Sequence, residues 1–122
     1  MVDDDITYEL IGEWSIPGGR GKRIIFPRTH LNHAFMEKLA QKLNEDTEND
    51  RHAVVLMFTD RRAAVTHQGL CDTTPEQEQM NLCVHYIGDY IRHDTPEVCT
   101  VFYCLDGLIE GSECKVFDCT RR

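Results

Sequence analysis

The sequence predicts an α+β fold, a two-layer sandwich in which a mostly antiparallel sheet of about six strands carries two helices on one face. Three segments have the alternating or apolar patterns of β-hairpins: residues 6–26, 53–68 and 98–119. Two amphipathic helical segments separate them. The predicted order is therefore ββαββαββ, and because each helix has a single apolar stripe, both are expected to cover the same sheet face.

Length and composition indicate one folded domain. The chain has 122 residues, 41% of them hydrophobic and 28% charged, which is ordinary for a globular protein. Residues 1–5 are expected to form a flexible acidic tail, and residues 6–122 the domain. No apolar run approaches the roughly 20 residues of a membrane-spanning helix, and the acidic start is unlike a signal peptide. We therefore expect a soluble cytoplasmic protein with no membrane partner.

The first hairpin is predicted from alternation on either side of a turn. Apolar residues from Ile6 to Ile16 alternate with polar ones, which is typical of a strand with one buried face. Residues 17–21 read Pro-Gly-Gly-Arg-Gly and favour a turn. Residues 22–26 return as the second strand.

The first helix is expected to follow Pro27 and to run to about residue 44. Either Thr29 or Asn32 could cap it, since both side chains can accept a hydrogen bond from a backbone amide of the first turn. Its apolar residues share one arc: Leu31, Phe35, Met36, Leu39, Ala40 and Leu43. This arc should face the core.

The other two hairpins are predicted from apolar content. Residues 53–58 are apolar throughout, which is typical of a central strand covered on both faces. Residues 59–62 should turn that strand back into a partner at residues 63–68. At the end of the chain, residues 98–105 and 113–119 are expected to pair as the third hairpin.

The second helix has the clearest start signal. Thr74 is a capping residue, Pro75 suits the first helical position, and Gln77 stands three residues after the cap. The helix is expected to reach His93, because Pro96 disfavours helical geometry at the residue before it. Its apolar stripe contains Met80, Cys83, Val84, Ile87, Tyr90 and Ile91.

Six cysteines leave several alternatives open. A zinc site formed by Cys99, Cys104, Cys114 and Cys119 is disfavoured, because residues five apart in a strand point to opposite faces. One antiparallel register of the third hairpin would place Cys99 opposite Cys119 and Cys104 opposite Cys114, whereas another would face Cys104 with Phe117. In a reducing cytoplasm the expectation is free thiols in the core, with no metal and no cofactor.

The net charge of −8 disfavours nucleic acid and anionic lipid as partners. The candidate partner-binding residues are an acidic group after the first helix and two side chains off the stripe of the second: Glu45, Asp46, Glu48, Asp50, Leu82 and Tyr86. These residues favour a protein partner, and the negative charge of the acidic group suits a basic one. A second copy of the same chain, in a homo-oligomer, is the other kind of partner that the sequence allows.

Residues 17–28 concentrate positive charge in this acidic chain. Their cations, the candidate phosphate-binding residues, are Arg20, Lys22, Arg23 and Arg28. Glycine leaves backbone amides accessible beside them, which suits phosphate capture. The segment is not a P-loop, because the required Gly-Lys-Ser/Thr spacing is absent.

Histidines supply weaker candidates. His30, His33 and Glu37 are expected on one side of the first helix, where they could converge on a cation, although a solvated polar face explains them as well. His30 and His67 are the candidate catalytic acids or bases. His67 with Cys71 could form a base and nucleophile only if the loop folds back.

Two hypotheses of function follow. The favoured one is a small acidic module that binds, inhibits or regulates a protein partner without catalysis. The alternative is a small enzyme or nucleotide- or phosphate-binding domain that uses residues 17–28 and a histidine. The two hypotheses predict that function depends on different segments of the chain, the acidic segment after the first helix for the former and residues 17–28 for the latter.

Overall fold

The computed structural model describes residues 7–66, 84–94, 97–107 and 111–119. In chain order its elements are β1 (Glu9–Ile16), β2 (Gly19–Ile25), a 3-10 turn (Arg28–His30), α1 (His33–Asp46), β3 (His52–Phe58), α2 (Arg61–Thr66), β4 (Tyr86–Asp94), β5 (Glu97–Cys104) and β6 (Cys114–Asp118). The predicted six-strand, mostly antiparallel sheet is confirmed, and together with two helices it is consistent with the predicted α+β class. The helices contribute less of the described chain than predicted.

The six strands lie in the sheet in the order in which they occur in the chain. Every neighbouring pair is antiparallel except β2 and β3, which are parallel. Parallel neighbours cannot be joined by a tight turn, so α1 forms the crossover between them. The C-terminal ends of β2, β3 and β5 therefore lie at one edge of the sheet, and their N-terminal ends at the opposite edge.

Helix α1 covers the central strands on one face. Asn32 is the cap, because its side-chain oxygen accepts from the amide of Phe35 at 2.8 Å. The helix buries the arc predicted for it, with Phe35, Met36, Leu39, Ala40 and Leu43 all inside. Their main partners across the interface are Ile24, Ala53, Val55, Met57, Ile87, Tyr90, Val101 and Tyr103.

Helix α2 lies where a strand was predicted and on the other face. Ala63 and Ala64 pack with Phe58 and Tyr86 in a second small cluster, opposite the cluster under α1. The side chain of Asp60 accepts from the amide of Ala63 at 3.1 Å, so the residues taken for a hairpin turn instead start a helix. The prediction of a strand at residues 63–68 is therefore wrong for residues 63–66. The two-layer arrangement with both predicted helices on one face is not confirmed, because the start of the second predicted helix lies outside the described residues.

Strand β4 replaces the second half of the second predicted helix. Residues 86–94 pair with β3 on one side and β5 on the other, so their amides and carbonyls are used between strands. The prediction of helix up to His93 is wrong for this part of the chain. The predicted cap at Thr74 and the helix start fall outside the described residues.

The third hairpin forms in one of the two registers considered. Cys104 lies opposite Cys114, and Thr100 lies opposite Asp118. Two disulfides join β5 to β6, Cys99–Cys119 with a Cα–Cα distance of 5.0 Å and Cys104–Cys114 with one of 4.1 Å. The expectation of free thiols is wrong for these four cysteines, because the register brings each pair within bonding reach.

No helix within the described part of the chain has the length and apolar character that crossing a membrane requires.

Candidate functional site

The cations of residues 17–28 do not form one cluster. The turn contains only Pro17 and Gly18, and Arg20, Lys22 and Arg23 all lie inside β2. Successive residues of a strand point to opposite faces, so the side chains of Lys22 and Arg23 lie on different sides of the sheet. The guanidinium of Arg23 stacks 5.3 Å from the ring centre of Trp14.

Arg20 and Arg28 are engaged at opposite edges of the sheet. Arg20 pairs with Glu13 at 3.3 Å and with Asp50 at 3.7 Å. Arg28 follows the C-terminal end of β2 and donates to the carbonyl of Val84. The predicted phosphate site therefore lacks the convergence of donors that anion capture requires.

The side chains of His30 and His33, which were predicted to share one side of the first helix with Glu37, do not converge on one point. The ring of His30 packs against Phe35, with ring centres 6.0 Å apart. Nδ1 of His33 is instead hydrogen-bonded to the hydroxyl of Tyr103, whose pKa is raised by burial and by the nearby charge of Glu37. Among the described residues no group of three or more His, Cys, Asp or Glu side chains could hold a metal ion. His67 and Cys71 lie outside the described residues.

Tyr86 is a core residue rather than part of a contact surface. Only 9% of it is exposed, and its ring stacks on Phe58 with centres 5.1 Å apart. The strand conformation of β4 turns the side chain toward α2, where a helix would have turned it outward. This burial gives no support to the predicted role of Tyr86 in binding a partner, which stays a prediction. Leu82 lies outside the described residues.

A cleft of about 500 Å³ opens at the C-terminal ends of β2 and β3. The polar groups at its mouth already contact one another or neighbouring protein groups. Arg61 is paired with Glu9, and Asp60 caps α2. The hydroxyl of Thr59 is 3.0 Å from Nδ1 of His85. A ligand would have to replace these contacts to bind here.

At the opposite edge the acidic segment predicted from the sequence forms the end of α1 and the turn after it. The carboxylate of Asp46 accepts from the hydroxyl of Tyr8 at 2.7 Å and lies 3.6 Å from the ammonium of Lys42. Burial and this carboxylate both raise the pKa of Tyr8, which keeps the hydroxyl a donor. Glu45 and Glu48 are exposed.

A buried arginine on β4 holds the turn between α1 and β3. Arg92 is 8% exposed and donates through its guanidinium to the carbonyls of Thr47 and Asp50. Its Nε also donates to Oγ1 of Thr47 at 3.3 Å. Because Arg92 lies on β4, it ties the acidic turn to a central strand. A turn held by three such bonds is rigid compared with a loop that makes none.

The β4–β5 hairpin ends at the same edge and adds further carboxylates. His52 at the start of β3 pairs with His93, and Asp94 pairs with Glu97 at the tip of the hairpin. Asp94 and Glu97 are both exposed. We define the acidic edge as the residues Glu45, Asp46, Glu48, Asp50, Asp94 and Glu97. Arg51 is an exposed cation within it.

The sequence alone indicates only the first half of this edge, residues 45–50. Asp94 and Glu97 become neighbours of the α1–β3 turn only because β4 pairs with β3. Residues up to 93 were assigned to a helix, which hid that pairing. The signal that could have indicated it is residue type, because Tyr86, Ile87, Tyr90 and Ile91 are aromatic or β-branched residues of the kind enriched in strands.

Two histidines meet in the middle of the acidic edge. Nδ1 of His52 lies 2.7 Å from Nδ1 of His93, and the ring centres are 4.8 Å apart. Gly18 lies against the His52 ring, since a Cβ atom on this glycine would stand 2.6 Å from Cδ2 of the imidazole. Its φ of 80° is also a conformation that favours glycine.

No protein-family model, curated protein or solved structure matches the chain.

Arg92→Lys is expected to lower the free energy of unfolding by about 1 to 2 kcal/mol, because a lysine cannot reproduce the forked donors that hold Thr47 and Asp50. The charge is retained, so long-range electrostatics should change little. Amide hydrogen exchange should accelerate in residues 47–51 more than in the rest of the sheet. Unchanged exchange in that turn would show that Arg92 does not hold it.

Proposed function

We propose that the protein is a non-enzymatic module that binds or regulates a basic protein partner through its acidic edge. The observation that supports this proposal best is the meeting of carboxylates from two separate segments, the α1–β3 turn and the β4–β5 hairpin, at one edge of the sheet. A net charge of −8 adds a negative field that would attract such a partner from a distance.

Rigidity supports a recognition role for this edge. Arg92 anchors the α1–β3 turn to β4, so Glu45 and Glu48 are presented on a fixed backbone. A preorganised surface loses less conformational freedom on binding than a mobile loop does. Exposed carboxylates at the rim of an interface mainly raise the association rate and set the choice of partner.

The alternative of phosphate or nucleotide binding has less support. It needs donors that converge on one anion, and the side chains of Lys22 and Arg23 lie on opposite faces of β2. The expectation that nucleic acid is not a partner remains a prediction based on charge.

The expected cytoplasmic location also remains a prediction, and the two disulfides weigh against it. Disulfides form and persist mainly in oxidising compartments. We therefore propose that the protein acts where its cysteine pairs stay oxidised.

Neutralising the edge should weaken binding of a cationic probe. In fluorescence anisotropy with a labelled nona-arginine peptide at low ionic strength, Glu45→Gln/Glu48→Gln should raise the Kd about threefold to tenfold, and salt should reduce the difference. The matched control is Asp106→Asn/Glu113→Gln, which removes the same charge from two exposed residues at the other edge. Equal losses in both variants would mean that only net charge matters, and would contradict the proposal.

A further inference from the structure

The His52–His93 pair is held in place by the backbone on both sides. The two residues are directly opposite each other in the antiparallel pairing of β3 and β4. On the far side of His52, the Gly18 carbonyl accepts from the amides of Arg51 and His52 at 3.1 and 3.2 Å. The β1–β2 turn therefore packs against the His52 ring.

Two imidazole nitrogens at 2.7 Å cannot both present bare lone pairs to each other. Either a proton lies between them, with one nitrogen donating to the other, or a cation takes its place. Neutral imidazole is a common ligand of divalent transition metals. We propose that His52 and His93 together chelate a divalent transition-metal ion such as Cu²⁺, Zn²⁺ or Ni²⁺.

Only a small change is needed to admit the ion. With metal–nitrogen bonds of about 2.0 to 2.1 Å and a tetrahedral angle, the two nitrogens stand about 3.4 Å apart. Rotation of the exposed His93 side chain can supply this opening without moving β3 or β4. The described residues offer no third ligand, so water fills the other positions.

The surroundings favour a cation. Asp94 and Glu97 are exposed beside His93 at the tip of the hairpin, and Asp50 stands two residues before His52. The nearby cations are partly neutralised or directed elsewhere. Arg20 is paired with Asp50, and Arg92 donates to backbone carbonyls of the α1–β3 turn. Arg51 is the exposed positive charge that opposes the ion.

Copper titration followed by electron paramagnetic resonance tests the proposal on the full chain. The wild-type spectrum should show hyperfine coupling to two imidazole nitrogens. His52→Gln and His93→Gln should each lower the apparent Cu²⁺ affinity at least tenfold and leave at most one coupled nitrogen from this pair. His30→Gln is the matched control, an exposed histidine on a different element, and should change neither property.

Two results would overturn the proposal. Wild-type binding no tighter than that of the His52→Gln/His93→Gln double variant would show that the pair shares only a proton. Full two-nitrogen coupling in the double variant would place the ion on other ligands. Thermal melts recorded in the absence of metal serve as the control for folding. If the His52→Gln variant is unstable, the exposed His93→Gln variant decides the question alone.

Discussion

Removing the Cys99–Cys119 disulfide is expected to cost about 3 kcal/mol of unfolding free energy. The bond joins residues 20 apart in sequence, and opening it frees the unfolded chain to occupy many more conformations. Cys99→Ala/Cys119→Ala should therefore lower the denaturant midpoint. The effect should be large because β6 is an edge strand that pairs only with β5 in the described sheet.

Reduction provides the control for this prediction. A reducing agent should destabilise the wild-type protein more than the double variant, which lacks one of the two bonds. Thiol titration of the denatured, unreduced protein should detect none of the four thiols of Cys99, Cys104, Cys114 and Cys119. Reaction of all four under these conditions would contradict the disulfide assignment.

Gly88→Ala is expected to lower the free energy of unfolding by about 2 to 3 kcal/mol. Gly88 has a φ of 154°, and a Cβ atom there would lie 2.0 Å from the carbonyl oxygen of Phe102. The sign of the change in the free energy of unfolding distinguishes a strand from a helix at residues 86–94. In an α-helix the same substitution would stabilise the protein by about 1 kcal/mol, because alanine is the better helix former.

Gly12→Ala is the matched control for that experiment. A Cβ atom on Gly12 has no heavy atom within 4 Å, so the substitution should change stability little. Denaturant melts of the three proteins give the comparison. A stabilised Gly88→Ala protein would contradict the assignment of residues 86–94 to β4.

The parts of the fold that the sequence predicts correctly have local determinants. The alternation around Pro17 and Gly18 defines the first hairpin, and the cap at Asn32 with a single apolar arc defines α1. The register of the last hairpin was one of two alternatives. The structure selects the one in which Cys104 faces Cys114.

The errors arise where tertiary contacts decide between two periodicities. Ile87, Tyr90 and Ile91 match a helical stripe, yet they are also β-branched or aromatic residues of the kind enriched in strands. Pairing with β3 on one side and β5 on the other favours the strand. The sequence predicts a turn at residues 59–62 and a strand at residues 63–68. The Asp60 side chain caps a helix there instead.

Only half of the acidic edge could be predicted from the sequence, for the same reason. Glu45 and Glu48 are close in sequence, so their clustering is visible without a structure. Asp94 and Glu97 join them through strand pairing across more than forty residues, which no local pattern indicates. The histidine pair at the centre of the edge has the same origin, since His52 and His93 are 41 residues apart.

Amide chemical-shift mapping with the nona-arginine peptide tests the role of the acidic edge most directly. We predict that saturable, salt-sensitive shifts concentrate in residues 45–52 and 93–97, the two segments that meet at this edge. Shifts spread evenly over the surface, or concentrated at the cleft beside Phe26 and Asp60, would contradict it.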